Sequence, residues 1–202
     1  MTSSGWGIFK RSQSPPVLTN YRAYKPFLQV DFLHRCSYCR ITEHRWGSER
    51  NFVVEHFRPK SRKLFVRLIC KYSNLYYACN RCNDFKGDTW PNAALRSSGY
   101  YFADPCVDDV YNHHLRIRNT GQLEALTNCG EYTRDHLRLN RTTLVIWRRE
   151  RRKLLEDIKV TRKAVRSLQK RMRPRLTVRA KREFDELISR HLALCDWLAR
   201  EY

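Results

Sequence analysis

Two CxxC pairs constrain the fold of this chain more than any other feature of its sequence. Cys36 and Cys39 stand in RCSYC, and Cys79 and Cys82 stand in CNRCNDFKGD. A CxxC turn supplies two thiolate ligands from one tight loop, and two such turns complete the tetrahedron that Zn²⁺ prefers. The sequence therefore predicts a closed, structural zinc site made of these four cysteines. The alternative is an accidental spacing of buried thiols.

The other four cysteines (Cys70, Cys106, Cys129 and Cys195) are scattered and are interpreted as plain buried thiols. The N-terminal stretch MTSSGWGIFKRSQSPP lacks the apolar core of a signal peptide, which favours a cytoplasmic protein. In a reducing compartment, paired cysteines indicate a metal site and not disulfides. We find no lipidation motif and no apolar run of transmembrane length, so we expect no membrane association.

The charge of the chain is strongly positive. There are 40 Lys and Arg against 20 Asp and Glu, a formal net charge of +20. Repulsion between so many positive charges opposes folding, so the excess of positive charge indicates a polyanionic partner. Nucleic acid is the commonest polyanionic partner of proteins. The segment 133–202 alone carries 21 basic against 9 acidic residues, which fits either a solvated helical face or a phosphate-binding surface. DNA is the expected partner.

The pattern of residues predicts three regions: an irregular N-terminal arm over 1–19, a domain over 20–132 and a basic α-helical region over 133–202. In the domain, NFVVEHF reads as a strand, KLFVRLIC as a second strand, and CNRCNDFKGD as a short helix ended by Gly87. Residues 97–130 read as loop with short strands. Apolar residues at helical spacing predict two C-terminal helices, with Pro174 between them and the second beginning near Thr177, which should pair as an antiparallel hairpin.

Chemically reactive residues are concentrated between and just after the cysteine pairs, which are separated by 39 residues. Glu55 and His56 close an apolar strand, and a carboxylate beside an imidazole indicates a hard divalent metal and a general base. Asn74 precedes LYYAC, where its amide can hold a backbone group. Asn83 and Lys86 are three apart on one helical face and offer a metal-ligating oxygen and a phosphate-binding ammonium.

The order of these residues carries a resemblance to a known family. EHFRPKSR, NLYYA and CNRCNDFKGD together resemble the HNH endonucleases, and the match is firmest over residues 36–88. EHFRPKS, ADPCVDD, GQLEAL and HLRLNR more narrowly resemble the HNH subunits of Septu-type and some retron-associated antiphage systems. The resemblance implies an α+β fold: a ββα-metal core with a treble-clef-like zinc site, followed by the basic helical hairpin.

The resemblance also implies roles for individual residues. His56 would be the general base, Asn74 would brace the loop that bears it, and Glu55 and Asn83 would hold Mg²⁺ or Mn²⁺. Lys86 would contact a phosphate, and Lys60 and Arg62 would clamp the substrate backbone. The family often has Asp in place of Glu55 and His in place of Asn83, which leaves the preferred metal open.

The expected function is therefore metal-dependent hydrolysis of phosphodiester bonds in DNA, in antiviral defence with an ATPase partner. The alternative is a non-catalytic zinc-finger module that binds nucleic acid or docks a partner. Such a module needs the four cysteines and the basic surface but has no use for the set Glu55, His56, Asn74 and Asn83.

Overall fold

The structure, a computed structural model, describes residues 6–171 and 178–201. The chain divides into two compact units, Met1–Val145 and Ile146–Tyr202. The predicted boundary after residue 132 falls inside a helix of the first unit, Asn128–His136. The sequence becomes more basic after residue 132, but the packing continues across this point, because Tyr132 and Thr133 are both buried.

The first unit is of the α+β class, as predicted. Its helices are α1 (Lys25–Asp31), α2 (Asn80–Lys86), α3 (Ala93–Ser97) and α4 (Asn128–His136), and its strands are β1 (Phe52–His56), β2 (Leu75–Cys79), β3 (Leu115–Ile117) and β4 (Leu123–Ala125). Short 3-10 helices cover Tyr21–Tyr24, Glu49–Asn51, Lys63–Leu68 and Tyr72–Asn74, and a π-helix covers Val110–His114. In the described residues the strands form two antiparallel pairs, β1 with β2 and β3 with β4.

The β1–β2 hairpin and helix α2 form the part of the unit that positions the site. Val53 and Val54 favour an extended backbone in β1, and the register opposes Glu55 to Tyr76 and His56 to Leu75. Helix α2 follows β2 without a loop, contacts both strands, and ends at Gly87, whose φ of +46° suits a glycine. The predicted strand over NFVVEHF and the predicted helix ended by Gly87 are confirmed.

The prediction of a second strand over KLFVRLIC is wrong. Residues Lys63–Leu68 form a 3-10 helix, in which Phe65 is buried against Trp90 while Leu64 is 83% exposed. The strand that pairs with β1 comes later, at Leu75–Cys79, and all five of its residues are buried. The apolar residues of this run do not form a strand because no strand of the described residues pairs with them, and only Phe65 among Lys63–Leu68 is buried.

The N-terminal segment from residue 6 to residue 19 contains no helix or strand, but it packs on the first unit. Trp6 and Phe9 are buried, and the buried carboxylate of Asp31 accepts two main-chain N–H bonds from the segment, at 2.7 and 2.9 Å. The Arg11 guanidinium donates to the carbonyl of Leu75 at 2.7 Å. These contacts fix the path of the chain into the 3-10 helix at Tyr21–Tyr24.

The second unit contains most of helix α5 (Thr142–Arg171) and helix α6 (Val178–Glu201). Leu154 and Ile158 of α5 are buried, which confirms the apolar stripe predicted for this helix. No helix among the described residues is long and apolar enough to cross a membrane.

Helices α5 and α6 are joined by a hydrogen bond between Thr161 Oγ1 and His191 Nδ1, at 2.8 Å. The predicted interruption at Pro174 and the predicted start at Thr177 lie outside the described residues. His191 therefore has a structural role between the two helices.

Candidate functional site

The four cysteines of the CxxC pairs meet in the interior of the first unit. The sulfur atoms of Cys36, Cys39, Cys79 and Cys82 all lie within 4.8 Å of one another, and all four residues are fully buried. The first pair sits in a tight turn, where the N–H of Arg40 donates to the carbonyl of Cys36 at 3.0 Å. The second pair spans the start of α2, for which Cys79 is the N-terminal cap. This cluster can hold a metal ion such as zinc.

Electrostatics favour a cation among these thiols. Hydrogen bonds with Cys36 and Cys39 raise the pKa of the Cys79 and Cys82 thiols, because thiols this close cannot all ionise unaided. Arg141 donates from Nη2 towards Cys82 Sγ at 3.5 Å and Cys79 Sγ at 3.9 Å. Although burial opposes its charge, the neighbouring Cys82 and Cys39 raise the pKa of Arg141. One permanent positive charge therefore lies against the thiols.

His56 ends strand β1 and is held on two sides. Its Nε2 lies 3.0 Å from the carbonyl oxygen of Ile69, and the ring of Tyr21 contacts its ring edge-to-face with centroids 4.6 Å apart. Because a carbonyl oxygen only accepts hydrogen bonds, Nε2 must carry the proton and Nδ1 carries the lone pair. Nδ1 has no hydrogen-bond partner within the described part of the chain, so it is available to accept a proton.

Burial also keeps His56 neutral. Desolvation lowers the pKa of His56 below its ordinary value, although the hydrogen bond to the Ile69 carbonyl opposes the shift. A neutral imidazole with a free nitrogen is the form that a general base requires.

Asn74 holds the chain that follows His56. Its Oδ1 accepts from the N–H of Arg58 at 2.9 Å, and its Nδ2 donates to the carbonyls of Arg58 at 3.1 Å and Leu68 at 3.3 Å. Its main-chain carbonyl accepts from the N–H of Phe57 at 3.0 Å. These hydrogen bonds fix the main chain of residues 57 and 58. A role of Asn74 in catalysis stays a prediction.

Glu55 points to the interior, where both of its oxygens are engaged. Tyr38 donates to Oε2 at 2.5 Å, and the Lys86 ammonium lies 2.6 Å from Oε1. The same ammonium donates to the main-chain carbonyl of His56 at 2.9 Å. Burial, followed by the charge of Glu55, raises the pKa of Tyr38, so its hydroxyl remains a donor.

The predicted phosphate contact of Lys86 does not agree with this placement. Lys86 is 0% exposed and its ammonium bridges Glu55 and the backbone of His56. Asn83 and Lys86 are three residues apart and lie on one face of α2. Asn83 is at the end of this face that lines the cleft, whereas Lys86 is at the end that is buried in the interior.

A cleft of about 550 Å³ lies beside His56. It is lined by the catalytic candidates Glu55, His56 and Asn83, by the cations Arg22, Lys25, Arg50 and Lys60, and by Tyr21, Phe52, Val53, Val54, Pro59, Gly87 and Asp88. The side chain of Asn83 makes no hydrogen bond to any described residue, so its amide is free to bind a ligand.

Lys60 is in the cleft wall, as the predicted substrate contact requires. Its ammonium donates to the Tyr21 hydroxyl at 2.9 Å, and this hydrogen bond lowers the pKa of Tyr21. Arg62 donates instead to the carbonyl of Trp90 at 3.1 Å and is not among the lining residues. Its substrate contact stays a prediction.

Sequence reasoning missed four residues of the cleft wall, Tyr21, Arg22, Lys25 and Arg50. They come from the segments before the first cysteine pair and before β1, and they belong to no motif. The only signal was the alternation of aromatic and basic residues in YRAYK, which is typical of surfaces that bind nucleic acid.

By chemical type, the carboxylate of Glu55 and the amide of Asn83 are oxygen donors that suit a hard divalent cation. Each oxygen of Glu55 accepts one hydrogen bond and keeps a second lone pair, and Asn83 offers a free amide oxygen. In the described residues, no cluster of three or more His, Cys, Asp or Glu forms besides the four cysteines. Mg²⁺ binds proteins through one or two carboxylates and retains several waters, and a Mg²⁺ site at these residues stays a prediction.

Comparisons of the chain with protein families, with curated proteins and with solved structures give no match.

Proposed function

We propose that this protein is a metal-dependent HNH endonuclease that hydrolyses phosphodiester bonds in DNA. The observation that carries the proposal is the state of His56, which is neutral and has a free Nδ1 in a cleft with cationic walls. The β1–β2–α2 arrangement directly behind a four-cysteine cluster supports the treble-clef-like ββα-metal core that the resemblance implies.

The residues of the cleft divide the chemistry between them. Arg22, Lys25, Arg50 and Lys60 bind the phosphates of the substrate backbone. His56 takes a proton from the attacking water on Nδ1, while the bond from Nε2 to Ile69 holds the ring in the required tautomer. Asn74 keeps the chain after His56 in place. The four-cysteine cluster, with zinc bound, has a structural role only.

Glu55 and Asn83 are the residues that would hold Mg²⁺ or Mn²⁺. When bound, the cation would neutralise charge that develops on the phosphate and on the leaving oxygen. A role in antiviral defence and an ATPase partner stay predictions from the resemblance, and a cytoplasmic location stays a prediction from the N-terminal sequence.

The test is cleavage of supercoiled plasmid by purified, zinc-loaded protein with Mg²⁺ or Mn²⁺. Loss of a general base costs a factor of about 100 to 10,000 in rate, so His56→Ala should be nearly inactive. His113→Ala is the matched control, because His113 is exposed and lies outside the cleft. Zinc content and thermal unfolding of each variant show whether the fold is retained.

Equal cleavage by wild type and His56→Ala would refute the assignment of the base. DNA binding without cleavage by wild-type protein, with either metal, would favour the alternative of a zinc-finger binding module.

A further inference from the structure

Lys86 is the one buried lysine among the described residues, and its surroundings are built for a cation. Its ammonium lies 2.6 Å from Glu55 Oε1 and 2.9 Å from the carbonyl oxygen of His56, and it lies over the ring of Phe102 at 5.5 Å. All three partners present negative charge or a negative ring face to it. Glu55 is only 3% exposed, so water contributes little to stabilising this pair.

The carboxylate that Lys86 neutralises is also the charged metal ligand of the proposed function. A divalent cation on Glu55 would bring a second positive charge against the ammonium at short range, in a site that water screens poorly. The two cations therefore cannot share Glu55 without cost. Either the ammonium gives way or the metal binds weakly.

We propose that Lys86 is the resident cation of Glu55 and competes with the divalent metal for this carboxylate. The proposal rests on the proposed function and adds a regulation of its metal site. Because the same ammonium holds the carbonyl of His56, its displacement couples metal binding to the main chain of the catalytic histidine. Lys86 thus acts through its neighbours and does not touch the substrate.

Helix α2 makes this competition local. Asn83 and Lys86 stand three residues apart on the helix, with the free amide of Asn83 in the cleft and the ammonium in the interior. The competition therefore involves two residues that are less than one helical turn apart on α2.

The test is Mn²⁺ binding, measured calorimetrically on zinc-loaded wild type and Lys86→Met. Methionine keeps the length of the side chain and removes its charge. We expect Mn²⁺ to bind Lys86→Met about tenfold more tightly or better, and to raise its unfolding temperature more than that of wild type. Mn²⁺ prefers oxygen ligands to thiolates, so the cysteine cluster is expected to keep its zinc.

The matched control is the double variant Glu55→Gln with Lys86→Met, which lacks both charges. It should lose the tighter Mn²⁺ binding. Equal or weaker binding of Mn²⁺ by Lys86→Met than by wild type would overturn the competition and leave the proposed nuclease intact. Failure of every protein to bind Mn²⁺ would overturn the metal site of the proposed function itself.

A second measurement uses wild-type protein and does not depend on the folding of a variant. As the one buried lysine of the described residues, Lys86 should give a slowly exchanging ammonium signal in ¹⁵N NMR. We expect saturating Mg²⁺ to shift or remove this signal. A signal that persists unchanged while Mg²⁺ binds would overturn the inference.

Discussion

Asn74 offers the sharpest test of how the site is held together. Its buried side chain makes three hydrogen bonds, at 2.9, 3.1 and 3.3 Å, that tie Arg58 and Leu68 to the start of β2. A typical intramolecular hydrogen bond contributes about 0.5–1.5 kcal/mol to stability, so Asn74→Ala should lower the free energy of unfolding by about 3 kcal/mol. Such a loss is a large share of the stability of an ordinary domain.

The measurement is urea-induced unfolding of zinc-loaded protein, followed by circular dichroism. Asn92→Ala is the control, because Asn92 is exposed and caps helix α3 through a single bond to the N–H of Leu95, at 2.9 Å. Removal of such a cap costs about 1 kcal/mol. Asn74→Asp adds a second comparison, since it keeps the acceptor for the Arg58 N–H but sets a carboxylate against two carbonyl oxygens.

A loss for Asn74→Ala no greater than that for Asn92→Ala would refute the reasoning. It would mean that residues 57 and 58 keep their path without the brace. If the reasoning holds, conditions in which Asn74→Ala remains folded should still show reduced cleavage, because the chain after His56 is no longer fixed.

Two further predictions follow from the charges around the site. Since burial lowers the pKa of His56, the acid limb of the pH–rate profile should lie below the ordinary histidine value of about 6.5. As pH falls, His56 is protonated first in the unfolded chain, so the stability that neutral His56 provides is present above the unfolded pKa and is lost as pH falls through the folded pKa. Wild type should therefore lose more stability than His56→Gln between about pH 7 and 5. Equal losses in the two proteins would contradict the lowered pKa. Arg141→Gln should release zinc to a chelator faster than wild type, because it removes the positive charge beside Cys79 and Cys82. Arg138→Gln, at an exposed position, should release zinc at the wild-type rate.

Local features of the fold were predictable from the sequence, because each is set by neighbouring residues. Strand β1 follows from its β-branched residues, helix α2 from its glycine stop, and the cysteine cluster from its two tight turns. The second strand was misplaced, since an apolar run does not reveal whether a partner strand lies beside it. Helical spacing likewise places Asn83 and Lys86 on one face of the helix. It does not reveal that Asn83 lines the cleft while Lys86 is buried.

Residues from distant parts of the chain line the cleft, and apart from the aromatic and basic residues of YRAYK no local pattern predicts them. Tyr21 contacts the ring of His56 although 34 residues separate them in the chain, and the segment before Tyr21 is held by its contacts with Asp31 and by the bond from Arg11 to the Leu75 carbonyl. Tyr38, which stands between the two cysteines of the first pair, donates a hydrogen bond to Glu55.

Helix α2 connects the cysteine cluster to the cleft beside His56. Cys79 and Cys82 fix the first turn of the helix, Asn83 follows on its cleft side, and Lys86 reaches back to the carbonyl of His56. A helix of seven residues has little stability of its own in water, so tertiary contacts must hold it. A metal bound by the cluster would therefore stabilise the element that carries the amide of Asn83 and the ammonium of Lys86. In the proposed nuclease, the cluster would contribute to catalysis by fixing where α2 begins.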